Sequence, residues 1–226
     1  MTDEEKLTLI QKYEELSEEE FKEECFEDLK KFAFDKDDTV KTFTASVLSR
    51  FVNTAKQKEA IEILLQLCHE ENELVRTEAY DAIGCYCEKS VVKSLEKAVL
   101  SEKDGLARSY AIDSWIYVQQ HLCTNETEVI GYLNAILEKE RDDNCILNCL
   151  YGKYSFGERA VLDEILNYIK NTDYHIRCSV LSIIELILEE ESCTKECKRK
   201  IKITELLKRE KANAVKEQAE EIMRWL

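Results

Sequence analysis

Asn72-Glu-Leu-Val75-Arg76-Thr-Glu-Ala79-Tyr80-Asp81-Ala82-Ile83-Gly84 is the stretch that decides the fold. It opens on a residue suited to an N-cap and carries apolar side chains at Val75, Ala79, Ala82, Ile83 and, beyond the quoted stretch, Tyr86. That spacing predicts a helix with one greasy stripe. Its first eight positions form a short grammar: an acid or amide, two variable residues, an apolar anchor, a base, two more, then a small residue. The grammar returns at Asp37–Thr44, Asp104–Ala111, Asp142–Cys149, Asp173–Val180 and Ala212–Ala219. The anchors are Val40, Val75, Ala107, Cys145, Ile176 and Val215, spaced by 35, 32, 38, 31 and 39 residues. Five of the six anchors are followed by a base, Ile146 being the exception. Self-similarity at such a period marks a repeat architecture.

A second amphipathic stretch precedes each copy: Phe21–Phe32, Ile61–Cys68, Leu95–Leu100, Ile130–Leu137, Leu162–Ile169 and Ile201–Leu207. Each copy therefore reads as two helices. A further helix, about Asp3 to Leu16, precedes the array behind a Thr2-x-x-Glu5 capping box, and Ser17-x-x-Glu20 has the form of another. Small residues at 79, 111, 149 and 219 let neighbouring helices approach closely. The 226-residue chain has no proline and five glycines, which disfavours sandwiches, barrels and doubly wound sheets.

The pattern resembles that of HEAT-repeat proteins, in particular the short bacterial form with an Asp-x-x-Val-Arg-x-x-Ala core. Asn72–Ala79, Asp104–Ala111 and Asp173–Val180 carry the likeness best. The resemblance implies an all-α solenoid of about six helix pairs behind one extra helix, as a single domain over residues 1–226. The expected parts are a capping helix over 1–18 and repeats over about 19–54, 55–90, 91–122, 125–157, 158–191 and 194–226. It also implies that Asp37, Asp104, Asp142 and Asp173, with Lys41, Arg76, Arg108, Arg177 and Lys216, form a ladder between neighbouring repeats. The second helix of each pair would line a concave binding face.

Outward positions on that helix are read as anchor +2, +6, +9 or +10, and +13. They give Thr42, Ser46, Ser49 or Arg50, and Asn53, followed by Thr77, Asp81, Gly84 and Glu88, and then Ser109, Asp113, Tyr117 and Gln120. The later copies give Leu147, Tyr151 and Tyr154, then Cys178, Ser182, Glu185 and Glu189, then Glu217, Glu221 and Arg224. The sites expected to hold a partner are Asp81, Glu88, Asp113, Tyr117, Tyr151, Tyr154, Glu185 and Glu189. An acidic face bearing tyrosines suits a basic protein or peptide.

Charge agrees. The formal net charge is −15, which disfavours nucleic acid over the average surface. Residues 1–35 hold 13 acids and 5 bases, whereas 195–211 hold 8 bases and 3 acids. The basic stretch reads as a solvated helix face, with a second binding surface as its alternative. No basic leader followed by an apolar run opens the sequence, and no apolar run is long enough for a membrane span. The ten cysteines include no Cys-x-x-Cys pair; Cys145/Cys149 and Cys193/Cys197 sit one helical turn apart without a second ligand pair. They read as reduced apolar filler in a cytoplasmic protein, with no metal and no cofactor. Cys85 and Cys87 are expected on different faces of one helix.

Enzyme readings find little footing. Asp113 with Trp115 invites comparison with DNA-alkylation-repeat glycosylases, but Trp115 falls on the apolar side of its helix. HEAT-like di-iron hydroxylases use repeated His-Glu pairs, and His69-Glu70 is the single one here. Likeness to phycobilin lyases rests on fold analogy alone. The expected protein is a non-catalytic, monomeric scaffold or inhibitor of a basic protein, with the immunity type as a specific form and a glycosylase-like or nucleic-acid-binding role as the alternative.

Overall fold

The computed structural model describes residues 1–17, 21, 25–189, 201 and 203–224. Among them lie thirteen α-helices and no strand. They are α1 (Asp3–Glu15), α2 (Phe26–Phe32), α3 (Asp38–Leu48), α4 (Gln57–Leu67), α5 (Glu73–Gly84), α6 (Lys89–Ser101), α7 (Gly105–His121), α8 (Glu126–Leu137), α9 (Asp143–Ser155), α10 (Leu162–Asn167), α11 (Tyr174–Glu189), α12 (Ile203–Leu207) and α13 (Asn213–Ile222). Short 3₁₀ turns follow α3 and flank α10. The expected Ser17-x-x-Glu20 box, the Cys193/Cys197 pair and five of the eight bases of the 195–211 stretch lie outside the described residues.

The chain divides into two compact units, Met1–Asn125 and Glu126–Leu226. In the first unit α3, α5 and α7 pack side by side, with α1 against α3, and α2, α4 and α6 form a second layer behind them. In the second unit α9, α11 and α13 form the row, backed by α8, α10 and α12. The six pairs are thus α2/α3, α4/α5, α6/α7, α8/α9, α10/α11 and α12/α13, each a first helix and a second helix as the grammar requires.

The anchors explain the packing. Val40, Val75, Ala107, Cys145 and Val215 are fully buried, and Ile176 is 6% exposed. In the first unit they join Phe26, Leu29, Leu48, Phe51, Leu64, Ile83, Leu95 and Ile112 between the two layers. In the second, Leu147, Ile165, Ile184, Ile187, Ile203 and Ile222 do the same. Burying each Leu or Ile contributes roughly 1.5–3 kcal/mol, so the interlayer seam dominates the stability of both units.

The expected caps are present. Asp37 accepts from the Thr39 and Val40 amides, Asn72 from Leu74, Asp104 from Ala107, Asp142 from Asn144 and Cys145, and Asp173 from His175. Ala212 supplies no such bond. Thr2 and Glu5 form the predicted capping box, at 3.2 and 2.8 Å.

The ladder differs from expectation in its acid. Lys41, Arg76 and Arg177 do bridge to the next repeat, but the capping acids do not receive them. The partner is the residue five before the next anchor. Lys41 donates to Glu70 at 2.7 Å, Arg76 clasps Glu102 at 2.7 and 3.0 Å, and Arg177 clasps Glu210 at 2.7 and 2.8 Å. Lys6 of α1 reaches Asp35 at 2.6 Å in the same way. These carboxylates also accept backbone amides of their own loop: Glu102 from Lys103 and Asp104, and Glu210 from Lys211 and Ala212. The same position holds Asp35, Glu70, Glu102, Glu140, Asn171 and Glu210. The capping oxygens are already used by their own helices, although the Asn72 amide also reaches back to donate to Asp38 at 3.1 Å.

Candidate partner-binding surface

Exposure shows which side of the second helices is free. On α5 and the turn after it the open positions are Leu74, Glu78, Asp81 and Cys85; on α7 they are Leu106, Tyr110, Asp113 and Tyr117. On α3 and the turn after it, Thr39, Phe43, Ser46 and Arg50 take the same places. The stripe is therefore anchor −1, +3, +6 and +10, turned about 50° round the helix from the expected one. Opposite it, Tyr80 and Ile83 point at the first-helix layer, and the Tyr80 hydroxyl donates to the Cys68 carbonyl.

The turn has a physical cause. Positions +2 and +9 meet the neighbouring second helix. Thr77 and Ser109 are buried there, as is Leu147, and each hydroxyl donates to a carbonyl of its own helix, Glu73 and Leu106. Gly84 packs so closely on α7 that a Cβ would lie 2.5 Å from Ser114 Oγ. Tyr154 occupies the equivalent +9 place in α9 and is 3% exposed, with the Arg159 guanidinium over its ring. The expectation that Tyr154 meets a partner is corrected: it is a packing residue. Glu88 is corrected as well. α5 ends at Gly84, so Glu88 sits at the start of α6, where it accepts hydrogen bonds from Gln57 and Ser90. For the same reason Cys85 and Cys87 lie in the turn after α5 rather than on two faces of one helix.

The remaining expected residues fall into two groups. In the first unit Asp81, Asp113 and Tyr117 share one face. Asp81 and Asp113 hold the same repeat position on adjacent helices, and both are exposed. Among the described residues no cation pairs with either. Protein atoms crowd the floor of this face although it stays open to solvent. That crowding, with Asp81 nearby, pushes the Asp113 carboxyl up to about 6. Asp81 is raised by the same crowding, and Glu78 by crowding and then by the charges of Asp81 and Glu14, against a lowering hydrogen bond from Ser46. Tyr110 is raised by crowding and by the three carboxylates, Asp81, Glu78 and Asp113. Arg50, the cation nearest in register, spends its guanidinium on the Tyr13, Glu14 and Leu16 carbonyls. Sequence reasoning missed Glu78, Tyr110, Leu74, Leu106 and Phe43. The signal was available as a run of residues at i, i+4 and i+7 beginning one before the anchor.

In the second unit the corresponding stripe is knitted together by its own side chains. Ser179 donates to Asn144 at 2.9 Å, and Gln218 donates to Ser182 at 2.9 Å and to Glu185 at 3.4 Å. Tyr151 is half-buried against the core. Glu189 is exposed at the end of α11, in a shallow cleft shared with Glu185, Leu186, Glu221 and Arg224.

Other chemistry is sparse. Among the described residues no group of three His, Cys, Asp or Glu side chains is placed to hold a metal. Cys145 and Cys149 are buried, and burial pushes the Cys149 thiol up to about 12, as it does that of Cys68. Trp115 is 2% exposed in the core, so it does not accompany Asp113 at the surface. A crevice of about 430 Å³ opens on the far side between α4 and α6, beside Cys68, Tyr80 and Glu102; its polar walls are the ladder itself.

A sequence profile described as HEAT repeats matches α2 to the middle of α7, across the helices that build this face. Residues 26–115 are similar to HEAT repeats. The matched span comprises the pairs α2/α3 and α4/α5 and most of α6/α7, and it supplies Phe43, Leu74, Glu78, Asp81, Leu106, Tyr110 and Asp113 of the stripe. A search of curated proteins finds none that matches the chain. HEAT repeats generally serve protein–protein interaction, and the family is typically non-catalytic. Among the described residues no helix is long and apolar enough to cross a membrane.

Proposed function

We propose that this protein is a non-catalytic binding module that holds a basic protein partner against the α3–α5–α7 face of its first unit. The observation that carries the reading is the pair Asp81 and Asp113, two solvent-open carboxylates in register on neighbouring helices with no cation of their own among the described residues. Like charges kept together at a crowded surface raise the free energy of the empty face, and an incoming Lys or Arg relieves that repulsion. Tyr117 and Tyr110 beside them supply large contact area with few rotamers to freeze. The chain's net charge of −15 adds long-range attraction for a cationic partner and repels phosphate backbones.

An acidic module of this kind is suited to cover the anion-binding surface of a basic enzyme, and an immunity-type inhibitor is the specific form we favour. The test is affinity capture from native lysate at two salt concentrations, with wild-type protein and with Asp81→Asn/Asp113→Asn. Recovery of a basic protein that is lost at high salt and lost with the double variant supports the reading. Recovery of nucleic acid, or of proteins indifferent to the double variant, overturns it.

A further inference from the structure

The face is not simply acidic. Among the described residues of the first unit eight large apolar side chains are exposed, and five of them (Phe43, Leu74, Leu106, Tyr110 and Tyr117) belong to the stripe on α3, α5 and α7. Leu74 is 54% and Leu106 43% exposed, one above the other at the same register place, one turn from Glu78 and Tyr110. The apolar row runs along the N-terminal ends of the helices, and the Asp81–Asp113 row lies one to two turns further along. In the second unit the matching places on α9 and α11 hold Asn144, Asn148, His175 and Ser179, all polar, with Ser179 donating across to Asn144. An apolar row left open beside an unpaired acidic row marks an interaction site rather than scattered surface residues.

We infer that this face takes one kind of occupant: a basic amphipathic α-helix of the partner, its Lys or Arg side chains meeting Asp81 and Asp113 while large apolar side chains cover Leu74, Leu106 and Tyr110. This rests on the reading above and names the chemistry of the partner segment. The geometry favours a helix over a strand. Packed helices lie about 8–10 Å apart, so equivalent places on α5 and α7 repeat at that interval. Two turns of helix, seven residues at 1.5 Å each, advance by about 10 Å and return to the same face. A β-strand covers the same distance in about three residues and presents the third on the opposite face. The helix also offers a face broad enough to carry a basic and an apolar row together.

The test uses fluorescence anisotropy with the full chain and three synthetic labelled peptides: a Lys/Leu amphipathic helix, the same peptide with Leu replaced by Ser, and a scramble of the first that spreads Lys and Leu over all faces. The expected result is roughly ten- to a hundredfold tighter binding of the first peptide than of the other two, since about two Leu-sized contacts separate them. Leu74→Ser/Leu106→Ser, both at exposed positions, abolishes that preference and leaves the weaker binding unchanged. Equal affinity for all three, or a preference that survives the double variant, overturns this inference while leaving a basic partner in place. Binding of none of the three overturns both.

Discussion

Arg76 holds Glu102 through two parallel contacts, Nε to Oε2 at 2.7 Å and an Nη to Oε1 at 3.0 Å, across the boundary between two successive repeats. The same guanidinium donates through its other Nη to the Glu70 and Glu71 carbonyls, closing the loop that precedes its own helix. One ion pair thus ties together the turn before α5 and the turn before α7.

Removing its acid should be costly. The Glu102 side chain is 5% exposed, and its loss strands Arg76 together with the Lys103 and Asp104 amides. Glu102→Ala is expected to lower unfolding free energy by about 2–3 kcal/mol. Glu59→Ala, which breaks exposed pairs with Lys30 and Lys56, should cost far less. Urea denaturation followed by circular dichroism compares the two; equal losses would mean that the clasp is no stronger than an open surface pair.

Acid should undo the equivalent clasp in the second unit. Glu210 is held at about 2, first by its hydrogen bonds to Arg177 and then by the Ala212 and Lys211 amides, against the usual 4.5. A carboxylate lowered on folding contributes stability that is complete above its unfolded value and lost as pH falls toward the folded one. The second unit should therefore weaken between about pH 4.5 and 2. Glu210→Gln should be less stable at pH 7 and should flatten that acid limb, which a thermal-melt series over pH measures.

Asp113 has the opposite sign. Its carboxyl is raised to about 6, so the native state favours the protonated form. The penalty for ionising it is complete above that value and vanishes below the ordinary aspartate value of 3.8. Asp113→Asn should raise the melting temperature at pH 7.5 by about 1–3 °C, a modest figure because the group is open to solvent. The difference should disappear near pH 3.5. A gain that persists there would mean that the effect is not one of charge. A basic ligand bound at this face should weaken as pH falls through about 6, because protonation removes the negative charge it meets.

Gly84 should tolerate no side chain. Gly84→Ala places a methyl 2.5 Å from Ser114 Oγ and 2.7 Å from Ser114 Cβ, and should cost about 1–3 kcal/mol through separation of α5 from α7. Ser114→Gly in the same chain should recover part of the loss, although it also removes the hydrogen bond from Ser114 to the Tyr80 carbonyl. A neutral Gly84→Ala would show that the two helices can slide apart freely.

Much of this architecture could be read from the chain because its local signals coincide. Asn72 caps, Val75 is a buried anchor and Ala79 is fully buried, as their spacing suggests, while Arg76 bridges, as the HEAT resemblance implies. The binding stripe was less legible. Thr77 and Ser109 look like surface residues, yet each satisfies its hydroxyl on a carbonyl of its own helix and can then be buried against a neighbour. Helical periodicity identifies the side that faces the first-helix layer; it does not say on which flank the next second helix lies. Tyr154 was misplaced for that reason, and Leu74, Tyr110 and Leu106 were overlooked. Glu102 and Glu210 were overlooked differently: an acid just before a turn looks like solvated charge, and only the recurrence five residues before every anchor distinguishes it.

That recurrence has a consequence for how the chain can vary. Asp35, Glu102 and Glu210 are each fixed both to amides just after them and to a base of the preceding helix pair or of α1, so the five-residue interval to the anchor cannot absorb an insertion or deletion there. The anchor spacings nevertheless range from 31 to 39 residues. The slack therefore falls outside that interval, in the length of the second helix, 17 residues in α7 against 12 in α5, and in the turns that lead to the next repeat's first helix. Grafted loops, tags or shortened connections should be accepted there, while a single added residue between Glu102 and Asp104 would unfasten two neighbours at once.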